Sequence, residues 1–93
     1  GLNKYRKERM RLQDKLREIS EIRVIPSQAN YIMIELLGTT TAKELTLKML
    51  LKHKILIKDL STKIKNGHYI RLAVRNQDDN NKLICALQEE LKL

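Results

Sequence analysis

The 93-residue sequence contains no phenylalanine and no tryptophan, and its only aromatic rings are Tyr5, Tyr31 and Tyr69. The interior must therefore be built from leucine and isoleucine, and a sheet of the kind that stacks RNA bases on several rings is poorly supplied. With a single cysteine, Cys85, neither a disulfide framework nor a cysteine metal site can form within the chain, and a reduced, cytoplasmic setting fits. There is one proline and there are three glycines, and no repeat, low-complexity tract or linker interrupts the chain, so residues 1–93 read as one domain. No segment approaches the roughly 18 consecutive apolar residues of a membrane span, and the N-terminus has a charged helical pattern instead of a signal peptide. A soluble protein with no membrane partner is expected.

Acidic residues are the minority: 11 against 19 basic ones, for a formal charge of +8. That balance favours an anionic contact, whether nucleic acid, a phosphorylated ligand or an acidic neighbouring surface. The length supports a modest core but falls below what usually houses a complete cofactor enzyme. Residues 1–6 run almost at once into a helical pattern, as expected of a piece cut from a longer chain.

Hydrophobic spacing organises the chain. Tyr5, Leu12, Leu16 and Ile19 mark the apolar stripe of a first helix with a basic outer face. Ile22, Val24 and Ile25 form a short edge strand stopped by Pro26. Residues 29–36 make the best central strand, with Tyr31, Met33 and Glu35 alternating against Ile32, Ile34 and Leu36. Thr41 and Glu44 have capping-box spacing at the start of a helix that runs to about His53. Residues 55–57 read as a strand, residues 61–67 as a loop, and Asn66 and Gly67 as a turn in which glycine permits a positive φ. Residues 68–75 read as another strand, with Ile70, Leu72 and Val74 on one face and Tyr69, Arg71, Ala73 and Arg75 on the other. Asn76 caps a terminal helix striped by Leu83, Ile84, Leu87 and Leu91. The fold class that follows is α+β: a small, mostly antiparallel sheet of about four strands with helices packed on one face and the other face free.

Arg71 and Arg75 are the residues with chemical promise, because an arginine on a strand is held rigidly and its planar fork matches a carboxylate or phosphate. Other candidates have simpler roles. His53 and His68 have only Asp59 as a possible third metal ligand; His53 suits a helix C-terminus and His68 a surface strand end, and no metal site is expected. Ser27 and Thr39 to Thr41 suit turns and caps. The sequential pairs Asp78, Asp79 and Glu89, Glu90 point to different sides of a helix and make no acid/base couple. Lys43, Lys48 and Lys52 occupy a solvated helix.

Taken in order, Pro26-Ser27-Gln28-Ala29-Asn30-Tyr31-Ile32-Met33-Ile34, a helix, Ile55-Leu56-Ile57-Lys58-Asp59, Tyr69-Ile70-Arg71-Leu72-Ala73-Val74-Arg75 and the helix containing Asn80 resemble the C-terminal part of class I/II, fold-type-I aminotransferases. The chain looks most like histidinol-phosphate aminotransferases and threonine-phosphate decarboxylases, and the likeness covers nearly its whole length. The resemblance implies the small domain of a pyridoxal-phosphate enzyme, cytoplasmic and homodimeric when complete, acting on an amino acid or an amino-acid-derived phosphate. Its partner would be the N-terminal large domain of the same chain, which supplies the Schiff-base lysine and the cofactor cradle; no catalytic residue, no cofactor-binding residue and no turnover are expected of these 93 residues. By the same resemblance Arg71 binds the substrate carboxylate. Arg75 matches a second arginine of decarboxylase-like members, with substrate phosphate or plain solubility as its roles. Lys58 stands where many members have arginine, a departure that speaks against histidinol phosphate as the substrate, and Asn30 is expected to fix the turn into its strand by side-chain hydrogen bonds. The rival from another class is a basic α+β module that binds nucleic acid, for which Tyr31 and Tyr69 are the stacking candidates.

Overall fold

The computed structural model describes residues 2–26 and 29–92. The turn role expected of Ser27 lies outside the described residues. The element order is α1 (Leu2–Arg17), β1 (Ile22–Ile25), β2 (Tyr31–Leu36), α2 (Ala42–His53), β3 (Lys58–Asp59), β4 (Tyr69–Ala73) and α3 (Gln77–Leu91). The four strands form one open antiparallel sheet in the order β1-β2-β4-β3. The α+β class, the edge position of β1 and the central position of β2 are as the sequence predicts.

Alternation along the central strands decides which face the helices cover. Ile32, Ile34, Ile70 and Leu72 are fully buried, and they join Leu12, Leu16, Leu45, Met49 and Leu87 from the three helices in one core. Burying each such side chain stabilises the fold by about 1.5–3 kcal/mol before chain entropy is counted. The intervening residues of β2 and β4 point the other way, to a face that carries no helix. Tyr5 departs from expectation: it continues the α1 stripe by spacing but is 61% exposed, so burial of this helix starts at Leu12.

Local chemistry sets the helix ends. Thr41 accepts a hydrogen bond from the Glu44 N–H at 3.1 Å, and Asn76 accepts one from the Asp79 N–H at 2.8 Å. The far end of α2 explains why residues 55–57 are not the strand that their composition predicts. Lys54 reverses the chain in the left-handed region, at φ 58° and ψ 32°, and its N–H and that of Ile55 bond back to the carbonyls of Leu50 and Met49. Ile55 therefore completes the helix end, Leu56 faces solvent, Ile57 enters the core, and pairing begins only at Lys58.

Two further boundaries differ from the sequence reading. The last strand ends at Ala73, so Arg75 lies beyond the ladder instead of sharing its alternation. Gly67 does not use a positive φ. A methyl group there would come within 3.0 Å of the Tyr69 ring, so close approach is what favours glycine at this turn.

Because a left-handed non-glycine residue pays a steric cost that glycine avoids, Lys54→Gly should stabilise the fold by about 0.5–1 kcal/mol. The expected observation is a higher urea midpoint at unchanged m-value; a lower midpoint would contradict the strain at Lys54.

Candidate functional site: the open face of the sheet

Cross-strand register brings one residue from each strand into a single row. Ile25 faces Met33, Met33 faces Arg71, and Arg71 faces Lys58. Directly opposed residues share a sheet face with their Cβ atoms about 5 Å apart, so Arg71 and Lys58 rise from neighbouring positions on one face. Among the described residues neither side chain has a carboxylate partner.

The acid on this face is occupied elsewhere. Glu35 stands opposite Arg23, and its Oε1 accepts from Arg23 Nε at 2.7 Å. That carboxylate holds the Arg23 guanidinium above its ordinary pKa, with a smaller contribution from Tyr69. Arg71 instead lies over an aromatic ring: its guanidinium carbon is 4.3 Å from the centroid of Tyr31. A cation this close to a ring centroid is held by the ring electrostatically, and a guanidinium keeps its N–H donors in its own plane.

Arg75 has a different setting. Its Nε pairs with Asp79 Oδ2 at 3.0 Å, in the first turn of α3. Its backbone is bracketed by the buried amide of Asn80, which accepts from the Arg75 N–H at 3.1 Å and donates to the Arg75 carbonyl at 2.9 Å. The second Asn80 amide hydrogen goes to Glu8 Oε2 at 2.7 Å, and Glu8 also takes a two-pronged contact from Arg11 at 2.9 Å. One asparagine thus ties the exit of β4 to α1 and α3, with its donors and acceptor satisfied. Periodicity alone assigned Asn80 no such role. Asn30 also acts through its main chain, its carbonyl accepting from the Val74 N–H at 2.7 Å.

The histidines are tied into the frame in ways that residue spacing does not show. His68 Nδ1 accepts from the Ala42 N–H at 3.2 Å, linking the segment before β4 to the first turn of α2. His53 Nε2 sits 2.8 Å from Glu90 Oε2, joining α2 to α3, and Lys52 lies 3.8 Å from the other oxygen of that carboxylate. The hydrogen bond to His53 is the main reason the Glu90 pKa is lowered. Glu89 is the third member of this group, whose possible ligand atoms lie within 4.8 Å of one another. His53 thus meets both Glu89 and Glu90, which corrects the expectation that these carboxylates point to different sides of the helix and that Asp59 is the acid within reach of a histidine, and Lys52 supplies a positive charge there.

Comparison with known proteins places the whole arrangement. Residues 2–87 match the family described as aminotransferase class I and II. The chain belongs to that family. It is 36% identical over 83 residues to histidinol-phosphate aminotransferase 2 of Archaeoglobus fulgidus, covering 89% of this chain and 23% of that one. It is 33% identical over 89 residues to an L-serine phosphate decarboxylase of Sulfurospirillum multivorans, covering 95% and 23% respectively. A solved structure of a decarboxylase from Sulfurospirillum multivorans superposes with a TM-score of 0.92 at 32% identity, over 97% of this chain and 23% of that one. The chain therefore spans under a quarter of the length of these relatives.

Aminotransferases of this family depend on pyridoxal phosphate. The α2 lysines Lys43, Lys48 and Lys52 are exposed, and no buried side-chain polar atom among the described residues lacks a partner. No described helix is long and apolar enough to cross a membrane.

The Glu8 contact gives this aminotransferase segment a defined pH response. The hydrogen bond from Arg11 is the largest cause holding the Glu8 pKa below its ordinary value of 4.5. A lowered folded-state pKa contributes stability that is complete above the ordinary value and fades as pH falls through the lowered one. Glu8→Gln should therefore lower the urea midpoint at neutral pH, and the gap from the native chain should narrow as the pH falls below the ordinary carboxylate range. A gap that persists in acid would contradict the ion-paired role.

Proposed function

We propose that this chain is the small domain of a pyridoxal-phosphate-dependent enzyme acting on an amino acid or a phosphorylated amino acid, and that Arg71 binds the substrate carboxylate. The observation that carries this reading is an arginine on a central strand of a helix-free sheet face, stacked on Tyr31 and without a carboxylate partner among the described residues. A guanidinium held in this way presents two parallel N–H donors at little further cost in side-chain freedom. Its contribution is orientation: fixing the carboxylate sets how the bonds at the substrate Cα stand relative to chemistry performed by the large domain. That domain, as the partner of this one, would provide the cofactor, the Schiff-base lysine and the second wall of the cleft, in a homodimeric and cytoplasmic enzyme.

Lys58 adds a second positive charge in the same row, which suits a substrate with more than one anionic group. The names of two relatives point the same way, since one is a histidinol-phosphate aminotransferase and the other an L-serine phosphate decarboxylase. For Arg75 we favour a structural role at the start of α3 over direct phosphate contact, because its side chain is paired with Asp79. The nucleic-acid alternative is less favoured, because Tyr31, one of the two rings that would have to accept a base, already packs against Arg71.

In the complete enzyme, Arg71→Ala should reduce kcat/KM by about 100-fold or more, chiefly through KM for the amino acid, with cofactor absorbance unchanged. Arg71→Lys should recover only part of the loss, since a point charge does not reproduce the fork. Unchanged kinetics in Arg71→Ala would overturn the assignment.

A further inference from the structure

We infer that Tyr31 is a positioning residue, whose ring sets the plane of the Arg71 guanidinium before substrate arrives. This inference rests on the carboxylate-binding role proposed for Arg71 and goes beyond it by naming what holds that side chain in its binding geometry.

Tyr31 and Arg71 are not opposed across the ladder. Tyr31 faces Ala73 and Arg71 faces Met33, so the two side chains are diagonal neighbours on one sheet face. Diagonal positions lie about 7–8 Å apart at the backbone, within reach only of long or aromatic side chains. The residue directly opposite Tyr31 is Ala73, whose side chain is a single methyl group.

Burial does not explain the contact. Tyr31 remains 46% exposed, whereas the leucines and isoleucines of the same strands that serve the core are buried. What the ring meets is the guanidinium, whose carbon lies 4.3 Å from the ring centroid, an interaction that is electrostatic and orientation-dependent. The in-plane donors of Arg71 stay uncommitted, because the carboxylate of Glu35 is engaged by Arg23 at 2.7 Å. Arg71 is thus restrained by its π-face and available at its edge. An arginine without such a partner would have to give up rotamer freedom when the carboxylate binds, and the ring removes part of that cost in advance.

A kinetic cycle in the complete enzyme tests this. Tyr31→Leu should raise KM for the amino acid about 3- to 10-fold with kcat little changed, and Tyr31→Phe, which keeps the ring face, should stay within about 2-fold of the native enzyme. In an Arg71→Ala background Tyr31→Leu should add nothing, because Tyr31 acts through Arg71. If Arg71→Ala raises KM but Tyr31→Leu does not, the positioning role is overturned while Arg71 stands. A Tyr31→Leu effect that persists without Arg71 also overturns it, since the ring would then act on substrate directly. If Arg71→Ala itself leaves KM unchanged, the carboxylate-binding reading fails and takes this inference with it. A second readout needs no turnover: the Arg71 side-chain Nε–H resonance should carry a ring-current shift that is lost in Tyr31→Leu and kept in Tyr31→Phe. A resonance unmoved by Tyr31→Leu counts against the stack.

Discussion

Ile32 and Ile34 on β2 and Ile70 and Leu72 on β4 are all fully buried, and the two strands are paired directly. Because side chains alternate with a period of two, a slip of one residue in either strand would carry its buried pair into solvent and turn Tyr31 and Met33, or Arg71, toward the core. Two aliphatic side chains lost from the core, with a polar ring or an unpaired charge in their place, make the register unambiguous. Everything on the open face inherits its position from this constraint. Arg71 sits beside Met33 and Lys58, and diagonal to Tyr31, as the geometric complement of the aliphatic side chains behind it.

Polar links then lock the layers together without disturbing that face. Asn80 joins β4, α1 and α3; His53 and Glu90 join α2 to α3; His68 joins the approach to β4 with the start of α2. All of these lie at helix ends or strand exits. On the open face an ion pair between strands, Arg23 with Glu35, occupies the acid that would otherwise compete for Arg71.

The helices, the central strands and the two N-caps were legible in the sequence because each rests on local spacing: 3.6-residue stripes, period-two alternation, and Thr41 or Asn76 three residues before the N–H it accepts. The same alternation put Arg71 and Arg75 on one face; what set Arg71 apart was the resemblance to aminotransferases. Boundaries that depend on distant partners were less visible. Residues 55–57 have strand composition, but the left-handed turn at Lys54 spends the N–H of Ile55 on the end of α2. Arg75 continues the alternation on paper, but the Asn80 amide takes its backbone groups and ends the ladder at Ala73. His53 and Glu90 are 37 residues apart, and Tyr31 and Arg71 are 40 apart, so no local pattern announces either contact.

Membership of the class I and II aminotransferase family is shown, and the placement of Arg71 over Tyr31 on the open face is the basis for our proposal that this slab presents an arginine to a substrate held by another domain. The most direct test is a crystal structure of the complete enzyme with an unreactive amino-acid analogue bound. Both carboxylate oxygens of the analogue are expected within about 3 Å of the terminal nitrogens of Arg71. A carboxylate held by other groups, with Arg71 turned to solvent, would contradict the role assigned to this residue.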